Sequence, residues 1–159
     1  NGECNGAKGH QGQDIRPATC ENGAHMAVAP QDGVITYIGT HMVKVYDPVT
    51  HYAYKMLHID RPLADHPTED RPLQRYDEVK RGQPIGPVSD VIAGTRSTTV
   101  HLHFELRTGT TNGVTVEGTQ LVSPYTSLIN AYLRLVGEAD DDQYTPTRPL
   151  PPIAECLNP

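Results

Sequence analysis

Val100-His101-Leu102-His103-Phe104-Glu105-Leu106 is the stretch on which the fold turns. In a β-strand, successive side chains point to opposite faces of the sheet. Val100, Leu102, Phe104 and Leu106 then form one wholly apolar face, which must pack on a core. His101, His103 and Glu105 line the other face together. Two imidazoles at i and i+2 are close enough to act on one centre, and neutral imidazole is a common zinc ligand. A His-x-His pair by itself is a moderate signal, because outer faces of strands also carry solvated pairs.

Upstream of this strand the chain reads as further short strands. Val28 and the run 33–39 flank the Pro30–Gly33 turn, and Met42 to Tyr46 alternates and stops at Asp47-Pro48, a turn signal. His51 to Asp60 alternates again, with Tyr52, Tyr54, Met56 and His58 on one face and His51, Ala53, Lys55 and Leu57 on the other. Residues 61–76, with three prolines and six charged residues, read as a long surface loop. Val79 to Gly86 reads as a turn leading into a strand. Downstream, a Gly/Thr-rich hairpin spans 108–119, and Ser123-Pro124 is a helix N-cap signal. Leu128, Ile129, Tyr132, Leu133 and Val136 recur at helical spacing, and Gly137 stops the helix. The expectation is a mainly antiparallel β domain over 1–137 with long groove-forming loops and one short C-terminal helix. An acidic, then proline-rich tail follows over 138–159.

Composition narrows the function classes. The 159 residues carry 13 Lys plus Arg against 19 Asp plus Glu, a net charge of −6 with His neutral. That balance argues against a general nucleic-acid binder, which needs a basic face. No apolar run approaches the ~18 residues of a transmembrane helix. With one Phe and no Trp, the core must be built from Val, Ile, Leu and Tyr. Fourteen Gly and fourteen Pro favour short strands and turns over long helices.

Two further segments carry groups suited to zinc. Gly9-His10-Gln11-Gly12-Gln13-Asp14 sets an imidazole and a carboxylate four residues apart, and His58 ends the strand Tyr52 to Leu57. Each is weak alone. In order and context, however, the chain resembles the LytM/lysostaphin-type zinc metallopeptidases. The resemblance rests on His10-Gln11-Gly12-Gln13-Asp14, Asp32-Gly33-Val34-Ile35, Tyr54 to His58, Val79 to Gly86 and His101-Leu102-His103-Phe104-Glu105. It covers roughly residues 9–107.

The resemblance implies a zinc ion (Zn2+) bound by His10, Asp14 and His103, with His58 and His101 as the catalytic histidines. Three protein ligands leave a fourth tetrahedral position for water, the pattern of a catalytic site. Glu105 is read either as a group supporting a ligand or as a solvated carboxylate. Tyr54 is read either as core or as groove wall. His25, His41, His51 and His66 are assigned no function. The activity implied is hydrolysis of peptide cross-links of bacterial peptidoglycan, with its stem peptides as partner. The bond is expected to be D-Ala–diaminopimelate, with glycine bridges as the alternative. A non-enzymatic activator of wall amidases is the alternative from another class. The full set of His and Asp positions argues against it. A cupin-like site is disfavoured because no histidine follows His103. A regulatory or inhibitory partner, or an upstream domain, is a further expectation.

Cys4, Cys20 and Cys156 leave one thiol over in any pairing. Local loop closure favours Cys4–Cys20, with pairs to Cys156 or three reduced thiols as alternatives. A disulfide, with the acidic charge, suggests a periplasmic or secreted location.

Overall fold

The computed structural model describes residues 11–92, 94–108, 120–125 and 128. Its strands are β1 (Gln13–Ile15), β2 (Met26–Val28), β3 (Gly33–Ile38), β4 (Met42–Tyr46), β5 (Tyr52–Leu57), β6 (Glu78–Val79), β7 (Pro84–Pro87), β8 (Val91–Ile92), β9 (Thr95–Arg96), β10 (Leu102–Thr108) and β11 (Gln120–Val122). Among the described residues the principal sheet has seven strands, ordered β1-β10-β5-β4-β3-β6, with β11 also paired to β10. Every pairing in it is antiparallel. β10 has β5 along one edge. Along the other, β1 pairs with residues 102–104 and β11 with residues 106–108. Two small ribbons, β2-β7 and β8-β9, complete the described fold.

The expected alternation places the core. Val43 and Val45 of β4 and Met56 of β5 are fully buried with Ile35 and Ile85. Phe104 and Leu106 of β10 join them, and Leu102 packs against the same cluster. Asp47 closes the β4–β5 turn by accepting the Val49 and Thr50 backbone N–H groups on Oδ1. The segment 61–76 is less of a surface loop than its composition suggests. Leu63 and Leu73 are buried in the core, and Ala64 both donates to the Ile85 carbonyl and accepts from the Leu73 N–H. Arg71 ties its far end through a paired contact with Asp77 at 2.7 and 2.9 Å.

Tyr54 is core rather than groove wall. Its ring stacks on Phe104, with centroids 6.0 Å apart. Burial, with the Asp47 carboxylate, pushes its phenol up to about 12. The 108–119 hairpin and most of the predicted helix lie outside the described residues. At the start of that helix, the Leu128 N–H donates to the Pro124 carbonyl at 2.9 Å, as the N-cap signal predicts. No helix among the described residues is long and apolar enough to cross a membrane.

Candidate metal centre and catalytic histidines

The register of three strands assembles the polar face. Asp14 of β1 lies directly opposite His103 of β10. On the other edge of β10, Leu57 faces His103 and Lys55 faces Glu105. The alternation in the His101–Leu106 stretch thus places two imidazoles and a carboxylate on one side, and β1 adds a second carboxylate.

His103 is held from both ends. Its Nε2 lies 2.8 Å from the Gln11 carbonyl and 3.3 Å from Glu105 Oε1, both acceptors, so Nε2 carries the proton. Its Nδ1 lies 3.0 Å from Asp14 Oδ1. A neutral imidazole has one donor nitrogen, so it cannot satisfy acceptors on both sides. The Nδ1–Asp14 contact calls for a second proton or for a cation between the two atoms. Burial opposes the second proton, and the Glu105 and Asp14 carboxylates outweigh it, raising the pKa of His103. Zinc fits the same pair: tetrahedral ligands at ~2.0–2.1 Å sit roughly 3.3 Å apart, close to the spacing of these two atoms. Among the described residues no group of three His, Cys, Asp or Glu forms a metal site. The expected third ligand, His10, lies outside the described residues.

Gly12 lets the ligand segment approach β10 this closely. It adopts φ +134°, and a Cβ there would sit 2.6 Å from the Phe104 carbonyl oxygen and 3.0 Å from His103 Nε2.

Glu105 is 3% exposed, so it is no solvated carboxylate. Lys55 Nζ meets Oε1 at 2.7 Å, and Arg107 donates to Oε2 from Nε at 2.9 Å and from a terminal nitrogen at 2.7 Å. Burial alone would raise its pKa. The bonds from His103, Lys55 and Arg107 prevail and hold it down at about 2. Lys55 and Arg107 were not singled out in the sequence. Their signal was there: Arg107 continues the i, i+2 series of His103 and Glu105, and Lys55 lies on the face of β5 opposite Tyr54 and Met56.

His58 and His101 come together from different elements, with ring centroids 4.4 Å apart. Strict alternation would send His58 to the core side with Tyr54 and Met56. A φ of +62° at His58 breaks that alternation just past the end of β5. His58 Nδ1 donates to the Val91 carbonyl at 2.9 Å, and His101 Nδ1 to the Thr99 carbonyl at 2.6 Å. A carbonyl only accepts, so both neutral rings keep an Nε2 lone pair. Val91 belongs to the β8-β9 ribbon. Burial lowers the pKa of His58 against the pull of the Val91 carbonyl, and the neighbouring His101 and His103 lower it further. His101 Nε2 lies 3.6 Å from Asp14 Oδ1, which joins this pair to the candidate metal ligands.

The remaining expectations divide. His25 and His51 bond to Thr19 and Tyr46 hydroxyls, consistent with structural roles. Cys20 is disulfide-bonded. Its partner, and so the choice between Cys4 and Cys156, lies outside the described residues. The apolar cavity of about 600 Å³ is lined by Tyr52, Tyr54, Leu102, Phe104 and Leu106, on the face of the sheet away from His103.

No protein-family model matches the chain, and no curated protein matches it. Solved structures do. The catalytic domain of the antimicrobial peptidase lysostaphin from Staphylococcus simulans aligns with a TM-score of 0.53 at 20% identity, over 76% of this chain and 80% of that one. The catalytic domain of the prophage-encoded M23 protein EnpA from Enterococcus faecalis aligns with a TM-score of 0.51 at 22% identity, over 75% and 78%. LytU gives 0.51 at 21% identity, over 79% and 78%. Mainly antiparallel β architecture, strand register and these alignments agree: the chain has the LytM-like fold of the M23 peptidase domains.

Proposed function

We propose that this chain is a zinc-dependent endopeptidase that hydrolyses peptide cross-links of bacterial peptidoglycan, with D-Ala–diaminopimelate as the target bond. The observation that carries this reading is the Asp14–His103 pair at 3.0 Å, set beside two further histidines whose Nε2 atoms carry no proton in the neutral ring. The peptidase fold supports it. The substrate class is the one implied by the motif resemblance, and the location that goes with this proposal is the cell envelope, periplasmic or secreted.

Asp14 and His103 would hold the metal, with His10 as third ligand. Zinc there supplies a Lewis acid for the scissile carbonyl and a water whose pKa falls to about 7. The chain does the rest. Glu105 and the Gln11 carbonyl hold the His103 Nε2 proton, which keeps Nδ1 turned to the metal side. His58, kept neutral by burial, accepts the proton of the attacking water on Nε2. The proton taken by His58 would then pass to the departing amine, by way of the neighbouring His101 Nε2, which would hydrogen-bond the oxyanion while it carries that proton.

The test is digestion of purified diaminopimelate-type and glycine-bridged peptidoglycan by zinc-loaded protein, with mass spectrometry of the fragments and a chelated control. Zinc-dependent loss of cross-linked dimers from the diaminopimelate wall is expected. Loss only from the glycine-bridged wall would move the target bond. Intact cross-links in both, with stimulation of an added amidase, would replace the enzyme with an activator.

A further inference from the structure

Four hydrogen bonds around His103 close a ring. His103 Nε2 faces the Gln11 carbonyl at 2.8 Å and Glu105 Oε1 at 3.3 Å. Arg107 donates to Glu105 Oε2 at 2.7 Å and, from the same terminal nitrogen, to the Gln11 side-chain oxygen at 3.1 Å. The ring spans two pieces of chain that are remote in sequence: β10, and the segment entering β1. That segment needs an anchor. β1 is only three residues long, and Gly12 within the segment has the backbone freedom of a residue at positive φ.

We propose that Arg107 is a positioning residue for the metal centre, a strap that fastens the Gln11–Asp14 segment to Glu105 and so fixes Asp14 against His103. The inference rests on the metal-centre reading above and extends it to a residue outside the ligand set. Charge alone does not explain Arg107, because Lys55 already meets Glu105 at 2.7 Å. What Arg107 adds is reach. A planar guanidinium can bond two acceptors in fixed directions at once, which an ammonium on a flexible stem does not reproduce. Its two acceptors here belong to the two pieces of chain whose relative placement sets the Asp14–His103 distance.

The experiment compares Arg107→Lys and Gln11→Ala with wild type by competitive chelator titration of zinc, and by nitrogen-resolved NMR of the His103 ring in metal-free protein. Arg107→Lys keeps the charge beside Glu105, and Gln11→Ala removes only the second acceptor while leaving the backbone carbonyl, so both should fold. Supporting groups of this kind affect metal affinity by about 10–100-fold. Each variant is expected to bind zinc about tenfold more weakly. The double variant should be no weaker than either single one, since both open the same link. In wild type, at a pH where the ring is neutral, the His103 proton stays on Nε2. In both variants that preference should relax. Zinc affinity within about twofold of wild type in both variants, with an unchanged His103 ring, overturns the strap. Failure of wild type to bind zinc would instead sink the metal-centre reading. The ring measurement on metal-free protein would still decide whether Arg107 and Gln11 order His103.

Discussion

The rings of His58 and His101 lie with centroids 4.4 Å apart, and each gives its Nδ1 proton to a backbone carbonyl, Val91 for one and Thr99 for the other. The same device therefore sets the tautomer of two side chains from different elements. Both present Nε2 as the reactive atom, and neither needs it for folding contacts to those carbonyls.

A separation of roles follows for His101. Its Nδ1 bond is to the backbone two residues away, so truncation leaves Asp14 and His103 in place. His101→Ala is expected to retain the fold and bound zinc while turnover drops by about 10²–10⁴, the usual range for loss of a general acid–base group. Turnover near the wild-type rate would remove His101 from the catalytic set.

His58 predicts a pH effect on stability. Its folded pKa is lowered by burial, then by His101 and His103, against the Val91 carbonyl. The unfolded chain, with an ordinary His near pH ~6.5, thus binds more protons over the window below that value, and folding weakens as pH drops through it. In metal-free protein, urea unfolding at pH 7.5 and 5.5 should show wild type losing more stability than His58→Gln. Equal losses would contradict the lowered pKa.

Gly12 predicts a local collapse of the site. A Cβ there meets the Phe104 carbonyl oxygen, a backbone atom that cannot swing away, in a conformation L side chains rarely adopt. Gly12→Ala should push the ligand segment off β10 and weaken zinc binding by at least about tenfold, on the scale of lost ligand support. The core face, on the far side of β10, should stay intact by near-UV circular dichroism. Unchanged zinc affinity would show that the close approach is dispensable.

Glu105 predicts a cost in stability as well as in metal binding. Glu105→Gln leaves Lys55 and Arg107 beside a buried neutral amide. Breaking one side of a buried charge cluster costs about 3–5 kcal/mol. With a folded pKa of about 2, the ionised carboxylate stabilises wild type above the unfolded value and loses that contribution as pH falls toward 2. The gap between wild type and variant should therefore narrow in acid. A gap that stays constant from pH 7 to pH 3 would contradict the ionised cluster.

Much of this was legible in the sequence because period-two alternation is a local property. Phe104 fell on the core side as expected, His101, His103 and Glu105 shared the other, and Val43, Val45 and Met56 follow the same alternation into the core. What alternation could not show was anything that depends on breaking it. The positive φ of His58 redirects one ring, and no local signal marks it. Nor could spacing reveal which carbonyl meets which ring nitrogen, since Val91 and Gln11 reach the site through tertiary placement of a ribbon and an entering segment. The prolines and charges of 61–76 suggested solvent. Leu63 and Leu73, each preceded by a proline, fill the core instead. Tyr54 was ambiguous because a tyrosine suits both a groove and a core margin, and its stacking on Phe104 decides for the core.

The account stands on a division of labour: Asp14 and His103 hold the metal, while His58 and His101 stay free to move protons. Native mass spectrometry of zinc-equilibrated wild type, His103→Ala and His101→Ala tests that division most directly. The account predicts one zinc per chain in wild type and in His101→Ala, and none in His103→Ala. Stoichiometric zinc on folded His103→Ala, or its loss from folded His101→Ala, would contradict it.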